Sequence, residues 1–252
     1  MWIVASYQPV SFFSLRPANA TSSGGKTLLV PTPFAIKIAL LSAAIRSRGV
    51  KEGERLFPFL RDLSLHLEPP EQIIVIKGFG KIRRELKDKN AAEKAARARE
   101  NKEYPFQPTI AYREYVSYHG TLRLACELPE ESPLFPELPA LLMQVNYLGK
   151  RGGFLQISAL PQVTAEPPEG HFVALTAPRQ ERFAIHGTLQ MLDDCGPTLT
   201  FARANIYTDE RIVLHRDRVL RHVVLPYRLS RSSRGYSWYV RIVEAREPIE
   251  GA

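Results

Sequence analysis

The chain has 252 residues, 44% of them hydrophobic, enough for one large domain or two small ones with a proper core. Its 34 Lys and Arg outnumber 26 Asp and Glu, giving a formal charge of +8 that favours an anionic partner. No apolar stretch approaches the length of a membrane span, and Cys126 and Cys195 lie too far apart for a paired metal-ligand motif or a disulfide framework. A cytoplasmic setting is expected, with no metal and no cofactor. Residues 1–13 also lack the basic start of a secretory signal.

In chain order, residues 1–10 read as a strand that stops at Pro9, followed by a loop of small residues over 17–26. Thr32-Pro33 is a helix start, an N-cap residue with proline at the first helical position. Phe34, Ile38, Leu41 and Ile45 then form one helical stripe, and Arg46, Arg48 and Gly49 form a natural end. Residues 54–67 read as a short second helix around Leu56, Phe59, Leu60 and Leu63, and residues 72–77 as a β-branched strand.

Residues 109–128 alternate. Tyr112, Val116, Tyr118, Leu122, Leu124, Cys126 and Leu128 share one parity, and Arg113, Tyr115, His119 and Arg123 the other, with Gly120 marking a bulge or turn. A short apolar helix over 139–146, a glycine-rich turn over 149–153 and a strand over 154–160 follow. The order through residue 160 is β-α-β-β-α-β, an α+β, ferredoxin-like (RRM-like) pattern with a basic insertion between its second and third strands. The Pro-rich stretch 161–170 is the expected linker. Residues 171–252 read as an antiparallel β region, with strands over 171–176, 182–192, 198–207, 210–228 and 235–245.

The positive charge is concentrated. Residues 81–102 hold nine basic against four acidic residues, and residues 211–241 hold eight arginines against one Asp. A chain polarised in this way favours one face gripping phosphate. Taken alone, 81–102 also reads as a solvated, Ala-rich helix or a disordered loop.

Residues 20–27, ATSSGGKT, fit a relaxed phosphate-binding pattern, but that motif needs a strand before it and a helix at the Lys-Thr. Pro17 precedes it and Leu28-Leu29-Val30-Pro31 follows, so nucleotide binding is excluded, although Lys26 and the glycines remain available to an RNA backbone. The turn Tyr147-Leu148-Gly149-Lys150-Arg151-Gly152-Gly153 has three glycines and two cations at its tip, a composition that can cradle phosphate or merely join helix to strand. In the loop Ser230-Arg231-Ser232-Ser233-Arg234-Gly235-Tyr236, Arg and Ser can donate to phosphate, and a tyrosine or Trp238 can stack a base. Catalysis has weak candidates only: Tyr118 and His119, beside Arg113 and Arg123, as a base and cations for metal-free RNA cleavage.

Three segments resemble the repeat-associated mysterious protein (RAMP) subunit that caps the 5′ handle of guide RNA (crRNA) in type I Cascade-like CRISPR complexes. They are Pro31-Thr32-Pro33 with Ala39-Leu40-Leu41, Arg113-Glu114-Tyr115-Val116, and Tyr147-Leu148-Gly149-Lys150-Arg151. The resemblance covers about the first 160 residues. It departs at Gly152-Gly153-Phe154, which lacks the Ser-Cys of some relatives.

The resemblance implies a non-catalytic crRNA-binding subunit with a palm over residues 1–160 and a thumb insertion over about 81–105. Implied partners are the crRNA 5′ handle, the major backbone RAMP subunit, the large subunit and, indirectly, target DNA. The residues expected on RNA are Arg16, Lys26, Arg46, Arg48, Lys81, Arg83, Arg84, Lys87, Arg113, Lys150, Arg151, Gly152, Arg231 and Arg234. One branch of the family cuts precursor crRNA, so a metal-independent endoribonuclease is the alternative.

Overall fold

A computed structural model describes residues 1–20, 25–85, 91–101, 106–149, 152–177, 186–205 and 208–242. In chain order these form β1 (Trp2–Pro9), α1 (Pro33–Arg48), α2 (Val50–Arg61), β2 (Ser64–Glu68), β3 (Gln72–Glu85), α3 (Ala91–Glu100), β4 (Phe106–His119) and β5 (Leu122–Glu127). Then come α4 (Leu138–Met143), β6 (Leu155–Ile157), β7 (Gln162–Thr164), β8 (Val173–Ala174), β9 (Thr188–Cys195), α5 (Phe201–Ala204), β10 (Arg218–Leu225), β11 (Tyr227–Ser232) and β12 (Tyr236–Arg241). The fold is α+β, with three antiparallel sheets and few helices.

The first sheet has the order β6-β1-β5-β2-β8, with β7 also on β1. Its register lines up Ile3 with Cys126, Ala5 with Leu124 and Tyr7 with Leu122, while Leu65 and Leu67 of β2 meet Cys126 and Leu124. All these residues are buried in one core with Ile36 and Leu40 of α1, Leu56 and Leu60 of α2, and Leu141 and Leu142 of α4. Each such large side chain contributes roughly 1.5–3 kcal/mol through burial. The Tyr7 hydroxyl donates to the Leu142 carbonyl at 2.8 Å, and burial pushes its pKa up.

Helix α1 begins as expected: Thr32 Oγ1 accepts the Ala35 amide at 3.1 Å with Pro33 at the first position. It ends at Gly49, whose φ of 91° is in the left-handed region. Its most buried residues are Ile36, Leu40, Ala43 and Ala44, while Phe34, Ile38 and Ile45 of the expected stripe are only partly buried. The cause is packing on several sides, since α2, β9 and α4 all lie against α1.

The expected second helix is shorter than its pattern promised. α2 ends at Arg61, and residues 64–68 are strand β2, where Leu65 and Leu67 alternate inward at the strand period. The strand expected over 72–77 continues to Glu85 and pairs with β4 without a slip from Gln72–His119 to Glu85–Phe106. That ribbon belongs to a different sheet, of order β11-β12-β3-β4, with α3 joining its two long strands. The alternation read across 109–128 is therefore two strands in two sheets, separated at Gly120 (φ 101°).

In the C-terminal region, the strand expected over 198–207 contains helical turn α5, capped by the Thr200 side chain. The strand expected over 210–228 is β10 and the start of β11, separated at Pro226. Residues 162–164, inside the expected linker, pair with β1, and β12 pairs with β3. Expected strands at 182–192 and 235–245 begin or end outside the described residues.

Candidate nucleic-acid interface

Alternation along the β11-β12-β3-β4 sheet separates an inner from an outer face. Ile73, Val75, Val116 and Ser237 point inward and are buried, with Tyr239 packed against the core. The outer positions run across the sheet in rows. Arg231, Trp238, Ile74 and Ser117 form one, Tyr236, Ile76 and Tyr115 the next, and Gly78 with Arg113 a third. Val240, Gln72 and His119 lie on the other side of the Trp238 row, with Arg228 paired to Val240. Arg231, Tyr236, Tyr115, His119 and Arg228 are exposed. Among the described residues, no Asp or Glu occupies an outer position of this sheet.

Arg234 sits in the turn between β11 and β12. The turn is pinned to β3 because the Lys77 amide donates to the Gly235 carbonyl at 2.8 Å. Lys81, Arg83 and Arg84 extend along the distal part of β3, all exposed, so the ribbon carries cations outward before α3 begins. Lys87 lies outside the described residues.

On the inner face, Glu114 accepts the Thr27 amide at 3.0 Å and the Tyr112 hydroxyl at 2.6 Å. Burial first, then the Glu114 carboxylate, push the Tyr112 phenol up to about 12. Gly25 lies so close to β4 that a Cβ would collide with the Tyr112 carbonyl oxygen. Gly25, Lys26 and Thr27 thus lay backbone along β4, and Lys26 is exposed beside it.

Tyr118 and His119 are successive strand residues on opposite faces. The Tyr118 hydroxyl donates inward to the Leu29 carbonyl at 2.6 Å, and burial holds its pKa well above the ordinary value. His119 is exposed on the outer face. Arg123, expected beside them, belongs to β5 in the other sheet, where it binds Glu68 at 2.5 Å and lies over the Phe172 ring. The weak catalytic set is not assembled, because the strand period turns Tyr118 and His119 to opposite faces and the turn at Gly120 sends Arg123 to the other sheet.

A second site forms around the glycine-rich bend. Gly149 and Gly152 have φ of 73° and 109°, which only glycine adopts without strain. Gly149, Tyr147 and Arg16 line a cleft of about 450 Å³ that also takes in Thr32, Phe34, Ala35, Asp193 and Arg218, at the start of α1. Arg218 lies 4.2 Å over the Phe34 ring and binds Asp193 at 2.6 Å. Lys150 and Arg151 lie outside the described residues. Phe13, bridged to Val116 of β4, leads within three residues to Arg16, so the cleft adjoins the edge of the β11-β12-β3-β4 sheet.

Arg46 and Arg48 do not join either group. Arg46 donates to the Ser42 and Gln144 carbonyls, and Arg48 pairs with Glu137, so both tie the end of α1 to the α4 region. Sequence reasoning missed Phe34, Arg218 and Arg228 as site residues. Arg228 and Arg218 carried a signal in the Arg-rich 211–241 stretch, whereas Phe34 was read only as core.

No family model matches the chain. It is 30% identical over 175 residues to the CRISPR-associated protein Cas5 of Archaeoglobus fulgidus, a match spanning 69% of this chain and 70% of that protein. A crystal structure of a CRISPR protein from Archaeoglobus fulgidus aligns with 96% of this chain and 92% of its own, at a TM-score of 0.48 and 11% identity. The match in sequence places the chain among CRISPR-associated proteins. It belongs to the Cas5 family, a RAMP-type family, in agreement with the resemblance carried by the three segments quoted above.

Proposed function

We propose that the chain is a non-catalytic crRNA-binding subunit of a CRISPR surveillance complex that holds the 5′ handle of the guide in the cleft at the start of α1. The observation that carries this reading is the convergence there of Arg16, Arg218 and the left-handed Gly149 on the N-terminal turn of α1. Left-handed glycines bring backbone amides close to a ligand, and helix N-termini favour phosphate. We read the order β6-β1-β5-β2, with α1–α2 and α4 as crossovers, as a ferredoxin-like palm, and the β3-α3-β4 ribbon as its thumb. Strands β8 to β12 are then a C-terminal β region that meets the palm where β8 pairs with β2 and the ribbon where β12 pairs with β3. Backbone and large subunits of the complex are the proposed neighbours.

The test measures affinity for an RNA bearing the handle and for one lacking it. Preference for the handle is expected in the wild type and is lost in an Arg16→Ala, Lys150→Ala, Arg151→Ala variant. Equal binding of both RNAs by the wild type would refute the reading. Incubating repeat RNA with the protein in chelator tests the alternative: intact RNA is expected, and cutting that disappears in His119→Ala would establish the endoribonuclease.

A further inference from the structure

The palm cleft leaves the outer face of the β11-β12-β3-β4 sheet without a role. We propose that this face is a stacking platform for unpaired nucleotide bases, built when the C-terminal hairpin adds β12 and β11 to the thumb ribbon. The proposal rests on the reading that the chain binds nucleic acid, and adds a second site and a different chemistry to it.

Trp238 is at the centre. Its Nε1 donates to Gln72 Oε1 at 3.2 Å, which fixes the indole on the sheet, and the Arg231 guanidinium lies 5.7 Å from the ring centroid. Tyr236 is two residues away on the same strand, about 7 Å along it. Tyr115 lies in the Tyr236 row with only Ile76 between them, and both tyrosines are exposed, as is Ile74 beside Trp238. Three aromatic rings thus share a solvent-facing surface within reach of consecutive nucleotides. A four-stranded sheet presenting aromatics in this way stacks two or three bases.

Charge selects the occupant. Arg84, Arg113, Arg228 and Arg231 occupy outer positions, and no carboxylate does among the described residues. Four guanidinium groups call for an anionic occupant, and a single strand supplies both phosphates for the cations and π-faces for the rings. Stacking tolerates any base, so the platform carries no sequence code. The strand is either guide RNA or single-stranded DNA, which share the same chemistry.

The experiment follows indole fluorescence of the full chain on titration with an unstructured 12-nucleotide RNA, the same sequence as DNA, and an abasic strand of equal length. Base-containing strands are expected to quench emission in the wild type and not in Trp238→Phe, and the abasic strand to leave emission unchanged. Trp238→Ala is expected to bind single strands about 10-fold more weakly, the worth of one stacked base. Quenching by RNA alone identifies the guide as occupant, and equal quenching by DNA adds the unpaired DNA strand. Binding without Trp238-dependent quenching, or unchanged affinity in both Trp238→Ala and Tyr115→Ala, overturns the platform. Handle preference in the same titrations separates the two readings: handle-selective binding without quenching leaves only the cleft, and quenching without handle selectivity leaves only the platform.

Discussion

Glu114 of β4 and Thr27 of the segment beside it are joined by a buried hydrogen bond, Oε2 to the amide nitrogen at 3.0 Å. That bond, with the Thr27 hydroxyl accepting the Leu15 amide at 2.9 Å, anchors the cleft-forming chain to the β3-β4 ribbon. Glu114→Ala leaves the Thr27 amide without its acceptor and is expected to cost about 2 kcal/mol, read as a lower urea midpoint. In Glu114→Gln the Tyr112 phenol should titrate below the value of about 12 it has beside the carboxylate, visible as an earlier tyrosinate absorbance step. Because that pKa is raised on folding, the stability it contributes is whole below pH 10 and is lost as pH climbs from 10 toward 12.

Lys37 and Asp194 form a buried pair at 2.8 Å that ties α1 to β9, with Arg221 on the second carboxylate oxygen at 2.7 Å. Removing one partner of such a pair strands the other. Lys37→Met is expected to cost roughly 3 kcal/mol and to lower the melting temperature by about 10 °C, measured by thermal denaturation near neutral pH. A melting temperature equal to the wild type would show that Arg221 alone compensates Asp194.

Asp217 is fully buried and accepts from Arg216, Arg203 and the Val213 amide. The hydrogen bond from Arg216, with further help from Val213 and Arg203, holds its carboxyl well below the usual carboxylate range against the cost of burial. A depressed pKa contributes stability that is whole above the ordinary carboxylate value of 3.8 and is lost as pH falls below it. Urea midpoints measured from pH 6 down to pH 2 should therefore fall less steeply for Asp217→Asn than for the wild type, from a lower starting point.

On the proposed reading, the cations of the distal ribbon contact phosphate without reading sequence. Replacing Lys81, Arg83 and Arg84 with Ala should reduce the log–log salt slope of RNA binding by about 2, since each neutralised phosphate of a single strand contributes about 0.7. A slope identical to the wild type would remove the ribbon from the RNA path.

Much of this molecule is legible locally. Thr32-Pro33 and Gly49 bound α1, the apolar stretch of residues 1–10 that stops at Pro9 becomes β1, and the outward parity of Arg113, Tyr115 and His119 is the one the strand period requires. The RAMP-type family was legible too, in three short segments. Those features rest on backbone sterics, capping and side-chain period, which act over a few residues. Tertiary structure alone decided that Leu65 and Leu67 sit in a central sheet, that Tyr118 and Arg123 part company at Gly120, and that Trp238 comes to rest beside Ile74, 164 positions away in the chain. Strand partners are chosen by burial of whole faces against α1, α2 and α4, a cost and gain shared by residues far apart in sequence, so no local window contains the choice.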